Sequence, residues 1–442
     1  MTDISREPVT EIPPPTSTRP NAFSPDVALA ERLFDELRAR TGSERGITRA
    51  SYGLGEQIAH DIVRREALRL GMECELDAGA NLTMTMRGQQ RGPALFLGSH
   101  LDSVPLGGNY DGAAGVLVGL AVVSGYRAAR IVPPHDITIL AIRAEESTWF
   151  PASYIGSRAA FGELTAEELD RTERAGDGLR LGAAIDAAGG DSAVLRRGEA
   201  QLGRERVGLF IETHIEQAPV LVDEEKPLGI VTGIRGSFRH RHAACVGSYA
   251  HSGATPRASR QDAALAVAQL IVRLDEAWTR LEDAGHDLTV TFGQIATDPN
   301  EAAFSKVAGS VTFSADFRSQ SLATLDLMRA ELAAAVADIA KARAVRFELG
   351  PETSSQPALM DTGIMSGLKD IAAELGIPAL VMPCGAGHDA AVFARNGIPT
   401  GMIFVRNRNG SHNPDEAMEI ADFAEAARLL SAFCLRDLPA AP

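Results

Sequence analysis

The chain has few cysteines, no excess of positive charge and no long apolar run. Its four cysteines, Cys74, Cys245, Cys384 and Cys434, are scattered through 442 residues without a CxxC pair. That scatter argues against a disulfide frame or a zinc ribbon and for buried thiols, which predicts a cytoplasmic protein. A net charge of −15 speaks against nucleic acid or an anionic membrane as the main partner. No stretch is long and apolar enough to span a bilayer. The opening "MTDISREPVTEIPPPTSTRPNAFSP" has acids and prolines but no apolar centre, so it does not read as a signal peptide. Residues 1–25 are expected to form a flexible or polyproline-like lead-in. There is no internal repeat at a fixed period.

What is present reads as an ordinary globular protein, with 45% apolar and 23% charged residues. Its length exceeds what one hydrophobic core usually supports, so two domains are expected. "ALAERLFDELRAR" and "GEQIAHDIVRREALRLG" have helical periodicity, closed by Gly71. The apolar runs "ALFLG" (94–98), "DITILAI" (136–142) and "VGLFIE" (207–212) look like buried strands. Between the first two lies "GAAGVLVGLAVVSGYRAA", a helix of small residues suited to packing closely on a sheet. This order predicts an α/β fold. Over 229–349 two long amphipathic helices interleave with strand-like stretches, as in a small α+β sandwich inserted into a main domain of 26–228 and 350–442.

The candidate chemistry sits where apolar runs end. The first run is followed by His100, Asp102 and Asp111, the second by Glu145 and Glu146, the third by His214; His412 follows the later run "GMIFV". Ligands of open α/β sheets bind outside the carboxyl ends of strands, so these positions can converge. In extended backbone His100 and Asp102 point the same way, which lets Asp102 hold the imidazole. Asp111 stands among glycines that allow close approach to a ligand, and its two oxygens could bridge a pair of cations. Glu145 and Glu146 start on opposite sides of the backbone, so one can bind metal while the other acts as a base. Mixed histidine and carboxylate donors suit zinc, with manganese also plausible. His60, His135, His240, His242 and His286 read as surface or structural.

"GSHLDSVPLGGNYDGAAGV", "AEESTWFPASYIGSR", "IETHIEQAPVL", "AHSGATP", "GAGHDA" and "GSHNPDEAM" together resemble the hydantoinase/carbamoylase amidases of the di-zinc aminoacylase and carboxypeptidase superfamily. The resemblance runs from about residue 30 to 435. It implies a metallopeptidase-like catalytic domain, with a central mixed sheet flanked by helices, and an inserted lid domain that forms a homodimer. It implies two divalent metals: one on His100, Asp111 and His214, the other on Asp111, Glu146 and His412. Glu145 would be the general base, Asp102 the carboxylate orienting His100, and His251 a stabiliser of the oxyanion; the inserted domain would lend residues to the partner's site, so that mixing a Glu145 variant with Arg318→Ala would restore activity. Arg318 would grip a substrate carboxylate, while Arg239, Gln217 and the loop Gly385, Ala386, Gly387 and His388 would line the pocket. Three positions depart from the family pattern. Ser305 stands where an asparagine contacts substrate, Ala218 where glycine is usual, and Ser237 where glutamine is frequent.

The expected activity is metal-assisted hydrolysis of a linear amide or ureido bond in a small acid, such as an N-carbamoyl amino acid or an allantoate-like compound. An N-acyl-amino-acid hydrolase or dipeptidase on the same centre is the alternative. A non-catalytic metal-dependent scaffold would be favoured by loss of Glu145 or a ligand, and none is lost.

Overall fold

The computed structural model describes residues 24–436. The expected lead-in therefore lies, up to residue 23, outside the described residues. Two sheets organise the fold.

The larger is a nine-stranded mixed sheet. At its centre Thr400–Val405, Val207–Ile215, Ala94–His100 and Ile137–Ile142 run parallel, side by side. These contain the runs read as buried strands, and burial on both faces explains their unbroken apolar character: every residue of Ala94–His100 and Ile137–Ile142 is buried. Leu82–Met86 and Glu73–Leu76 continue the sheet antiparallel on one side. Leu228–Ile234 flanks Thr400–Val405 on the other and carries Ala358–Leu359 and Ala379–Cys384.

The small-residue helix Ala113–Ala129 lies against the middle of this sheet. A Cβ on Gly115 would stand 2.2 Å from the Thr213 carbonyl oxygen, so glycine is what permits the close approach. Val27–Thr41, Leu54–Arg69 and Ile420–Phe433 pack around that helix and share its core. On the opposite face Phe96, Leu140 and Phe210 pack with Phe393 of the short helix Ala390–Arg395. The result is a mixed α/β fold with a central sheet flanked by helices. Between residues 150 and 200 the chain forms four helices of four to seven residues, too short to show a period in the sequence.

The second sheet has six strands, all antiparallel, with Gly236–Val246 and Ser310–Ser319 at its centre. Burial alternates along Ser310–Ser319, because the helices Ala263–Asp283 and Leu322–Arg343 cover one face only. The chain enters this sheet at Gly236 and leaves it after Ser355, later than the expected boundaries of 229 and 349. The reason is that "GIVTGIRGSFRHRHAACV" reads as one extended stretch, whereas Leu228–Ile234 pairs with Thr400–Val405 and the backbone changes sheet at Arg235. Among the described residues no helix is long and apolar enough to cross a membrane.

Candidate active site

Because the four central strands are parallel, their carboxyl ends share one sheet edge. His100 stands opposite Ile142, and His214 opposite Phe404. The residues just beyond these ends converge. His100 Nε2 lies 3.3 Å and His214 Nε2 3.2 Å from Asp111 Oδ1. His412 Nε2 lies 3.3 Å from Glu146 Oε1 and 3.7 Å from Asp111 Oδ2. Two groups of three potential ligands result, with Asp111 offering one oxygen to each.

The donor set fits divalent cations. His214 Nδ1 is 2.9 Å from the Ile215 carbonyl oxygen, and His100 Nδ1 is 3.1 Å from the Asp102 carbonyl oxygen and 3.2 Å from Asp102 Oδ1. With the proton on Nδ1 in both rings, each Nε2 presents a lone pair. These nitrogens are 3.4 Å apart, and Asp111 Oδ1, buried among them, has no hydrogen-bond partner among the described residues. Three electron-rich atoms converging out of reach of water repel one another unless a cation lies between them.

Asp102 orients more than His100. Its carboxylate accepts the amides of Glu145 at 3.0 Å and Glu146 at 3.2 Å, and the Ser51 hydroxyl at 2.5 Å. The preceding residue, Ala144, has φ +51°, a left-handed conformation that costs a non-glycine residue energy. Its amide donates to buried Glu56, which also accepts from Arg143 at 2.9 Å. On the other side of the centre, Glu416 accepts the amides of Tyr110 at 2.8 Å and Asp111 at 3.2 Å. Burial and the nearby Asp111 charge push the Glu416 carboxyl up to about 7. Sequence reasoning missed these supports. Glu416 was visible as the acid of "SHNPDE"; Ser51 and Glu56 carry no local signal.

A cavity of about 310 Å³ opens over the cluster. Glu145, Gln217, Arg239, Arg318, Ala386, Gly387 and His388 line it beside the ligands, as does Tyr154, which the sequence did not single out. A Cβ on Gly387 would stand 1.6 Å from the Tyr154 hydroxyl, so this loop needs glycine to admit the ring. Burial, partly opposed by His100, holds the Glu145 carboxyl well above the carboxylate range. Burial together with the His214 charge keeps His388 well below the usual imidazole value. Gln217 Nε2 donates to Asp111 Oδ2 at 3.0 Å. Asp316 joins the two arginines: Arg239 Nε donates to it at 3.1 Å, and Arg318 through Nε at 3.0 Å and Nη2 at 2.8 Å. Arg318 Nη1 also donates to the Gly385 carbonyl at 2.8 Å. Neither Nη of Arg239 has a hydrogen-bond partner among the described residues.

Two expected residues lie elsewhere. His251 and Ser305 lie where Ala250–His251 pairs with Lys306–Val307, the Ser252 amide donating to the Ser305 carbonyl at 2.9 Å, and neither lines this cavity. The amides of Gly253 and Ala254 donate to His251 Nδ1 at 3.2 and 3.1 Å, so the ring proton is on Nε2. Ser237 bonds to Ser355 at 3.0 Å within the second sheet.

A mixed sheet whose carboxyl edge gathers two ligand triplets around one shared carboxylate is the layout of a metal-dependent hydrolase. The chain belongs to peptidase family M20/M25/M40, whose model matches residues 96–436. It is 34% identical over 405 residues to the N-carbamoyl-L-amino acid amidohydrolase of Geobacillus stearothermophilus, covering 91% of this chain and 96% of that protein. It is 30% identical over 373 residues to the allantoate amidohydrolase of Bacillus subtilis, covering 84% and 88% respectively. The crystal structure of a hydantoinase/carbamoylase family amidase from Burkholderia ambifaria matches with a TM-score of 0.82 and 29% identity, covering 93% of this chain and 96% of that one. The resemblance carried by the motifs is borne out.

Proposed function

We propose that this chain is a binuclear metal-dependent amidohydrolase that cleaves a linear amide or ureido C–N bond in a small carboxylate substrate. N-carbamoyl amino acids and allantoate-like compounds are the first candidates. The observation that carries this reading is Asp111 standing between two ligand groups, with Glu145 on the wall of the cavity above them. His100, Asp111 and His214 would hold one cation, and Asp111, Glu146 and His412 the other. Histidine and carboxylate donors favour zinc, with manganese second. When bound, the cations supply Lewis acidity that acidifies water and polarises the scissile carbonyl.

The chain's own groups do the rest. Glu145 takes the proton of the attacking water and returns it to the leaving nitrogen. From a carbamoyl substrate the products are the free amine and carbamate, which breaks down to ammonia and carbon dioxide. His251, with its proton on Nε2, is the donor suited to the oxyanion. It lies outside the cavity of its own chain, which supports a homodimer in which the unit built on the second sheet acts as a lid and lends His251 and Ser305 to the partner. Four unpaired thiols support a reducing, cytoplasmic setting.

The test is ammonia release by zinc- or manganese-loaded protein from N-carbamoyl amino acids, N-carbamoyl-β-alanine and allantoate. Release from at least one, lost in Glu145→Gln with metal content unchanged, is expected. Wild-type turnover in Glu145→Gln would remove Glu145 as the base. Silence across the panel would move the reading to N-acyl amino acids and dipeptides.

A further inference from the structure

The active-site cavity does not end at the arginines. A second cavity, of about 350 Å³, adjoins it, and Gln217, Arg318 and Ala386 line both. Beyond that shared rim the second cavity is walled by Val220, Met382, Pro383, Cys384 and Phe404. Its charged neighbours are all engaged. Arg235 Nε donates to both carboxylate oxygens of Asp287, at 2.9 and 3.0 Å. Glu216 accepts the amides of Val220 at 3.1 Å and Leu221 at 2.7 Å. Arg318 is held by Asp316 and the Gly385 carbonyl. The Cys384 thiol donates to the Ala386 carbonyl at 3.0 Å.

Away from the rim the slot's charged groups are satisfied, Arg235 by Asp287 and Glu216 by two backbone amides, and its apolar walls reward a group that leaves water. The active-site cavity from which it opens is lined by Arg239, whose two Nη nitrogens have no hydrogen-bond partner among the described residues and can take a carboxylate through two parallel hydrogen bonds. With the scissile bond over the ligand cluster and the carboxylate on Arg239, the slot past Ala386 is the apolar recess that adjoins the cavity for the third substituent of an α-amino acid. We infer that this slot is the side-chain subsite, and that the substrate is an N-substituted α-amino acid with a bulky uncharged side chain of leucine, methionine or phenylalanine type. This rests on the amidohydrolase reading and narrows it. Glycine and β-alanine derivatives leave the slot empty. Aspartate and allantoate derivatives would bury charge or unpaired ureido groups there.

Two measurements on metal-loaded full-length protein test it. The first is kcat/KM for the N-carbamoyl derivatives of glycine, leucine, methionine and aspartate, and for allantoate. About a fourfold gain per buried methylene predicts a leucine-to-glycine ratio on the order of 100. The second is calorimetric binding of the product amino acids leucine and glycine, which needs no turnover. The variants Ala218→Phe and Val220→Trp enlarge exposed side chains on the slot wall and should lower the leucine-to-glycine ratio at least tenfold in both measurements. A ratio near one in wild type, a preference for aspartate or allantoate, or a ratio that neither variant changes would overturn the subsite. Tighter binding of leucine than glycine, with no ammonia from any substrate, would support the subsite and overturn the ureido reading instead.

Discussion

The Glu145 amide donates to Asp102 Oδ1 at 3.0 Å, and that same oxygen lies 3.2 Å from His100 Nδ1. One carboxylate therefore fixes both the ring that presents a metal-binding nitrogen and the backbone of the base. Its other oxygen takes the Glu146 amide, so the second ligand triplet depends on it too.

Replacing Asp102 by asparagine should then weaken metal binding about 10- to 100-fold, in line with the loss of other carboxylates behind metal-bound histidines. An amide has one acceptor where two backbone N–H groups and an imidazole N–H need partners, and its NH₂ would face a donor. Competition against a chromogenic chelator reads the affinity directly. Unchanged affinity would show that His100 is held by the Asp102 backbone carbonyl alone.

Sharing of His251 between subunits makes a forecast about mixtures. Glu145 lines the cavity of its own chain and His251 does not. Glu145→Gln and His251→Ala, each inactive alone, should therefore recover up to about a quarter of wild-type activity when subunits exchange at random, because one hybrid site joins an intact Glu145 to an intact His251. Glu145→Gln with Arg318→Ala should recover nothing, since both residues line one cavity in one chain. Failure of the first mixture, with exchange verified by mass, would overturn the lending of His251.

The two arginines should separate kinetically. Arg239 has two nitrogens without a partner among the described residues, whereas Arg318 ties Asp316 to the Gly385 loop. Arg239→Ala should raise KM for carboxylate substrates about 10- to 100-fold, the value of a hydrogen bond to a charged group, and leave their neutral amide analogues near wild type. Arg318→Ala should lower kcat for both alike, by loosening the loop that carries His388. The reverse pattern would return the carboxylate to Arg318.

Stability should fall at mildly acidic pH because of His60. Both its ring nitrogens are buried without a hydrogen-bond partner among the described residues, and burial, aided by the Arg143 charge, holds its pKa well below 6.5. The unfolded chain takes up a proton as pH drops through 6.5 while the folded ring stays neutral, so stability is intact above that value and is lost below it. The slope approaches about 1.4 kcal/mol per pH unit for one proton. His60→Leu should flatten this part of a urea-unfolding series between pH 7 and 5. A series with the same slope in both proteins would place the acid sensitivity elsewhere.

The parts of this protein legible in its sequence are those governed by neighbours in the chain. Ala94–His100 and Ile137–Ile142 announce themselves because strands buried on both faces must be continuously apolar. His100, Asp102 and Asp111 are readable because they lie within twelve residues of one strand end, and Glu145 and Glu146 because they follow another directly. The six-strand antiparallel unit was visible as two helices among alternating strands.

Tertiary structure decided what depends on which distant segments meet. Nothing local tells Leu228–Ile234 to join one sheet and Gly236–Val246 the other; that is settled by the partners each finds, Thr400–Val405 and Ser310–Ser319. Ser51 and Glu56 support the centre from an early loop and helix, and a single serine or glutamate has no spacing by which to be recognised. Which arginine keeps a free fork depends on Asp316 and on the Gly385 carbonyl 67 residues from Arg318. Residue type and order thus determined which chemistry the chain could carry. Only long-range packing decided which of those groups face one another across the cavity, because distance in space is fixed by the pairing of strands and not by separation along the chain.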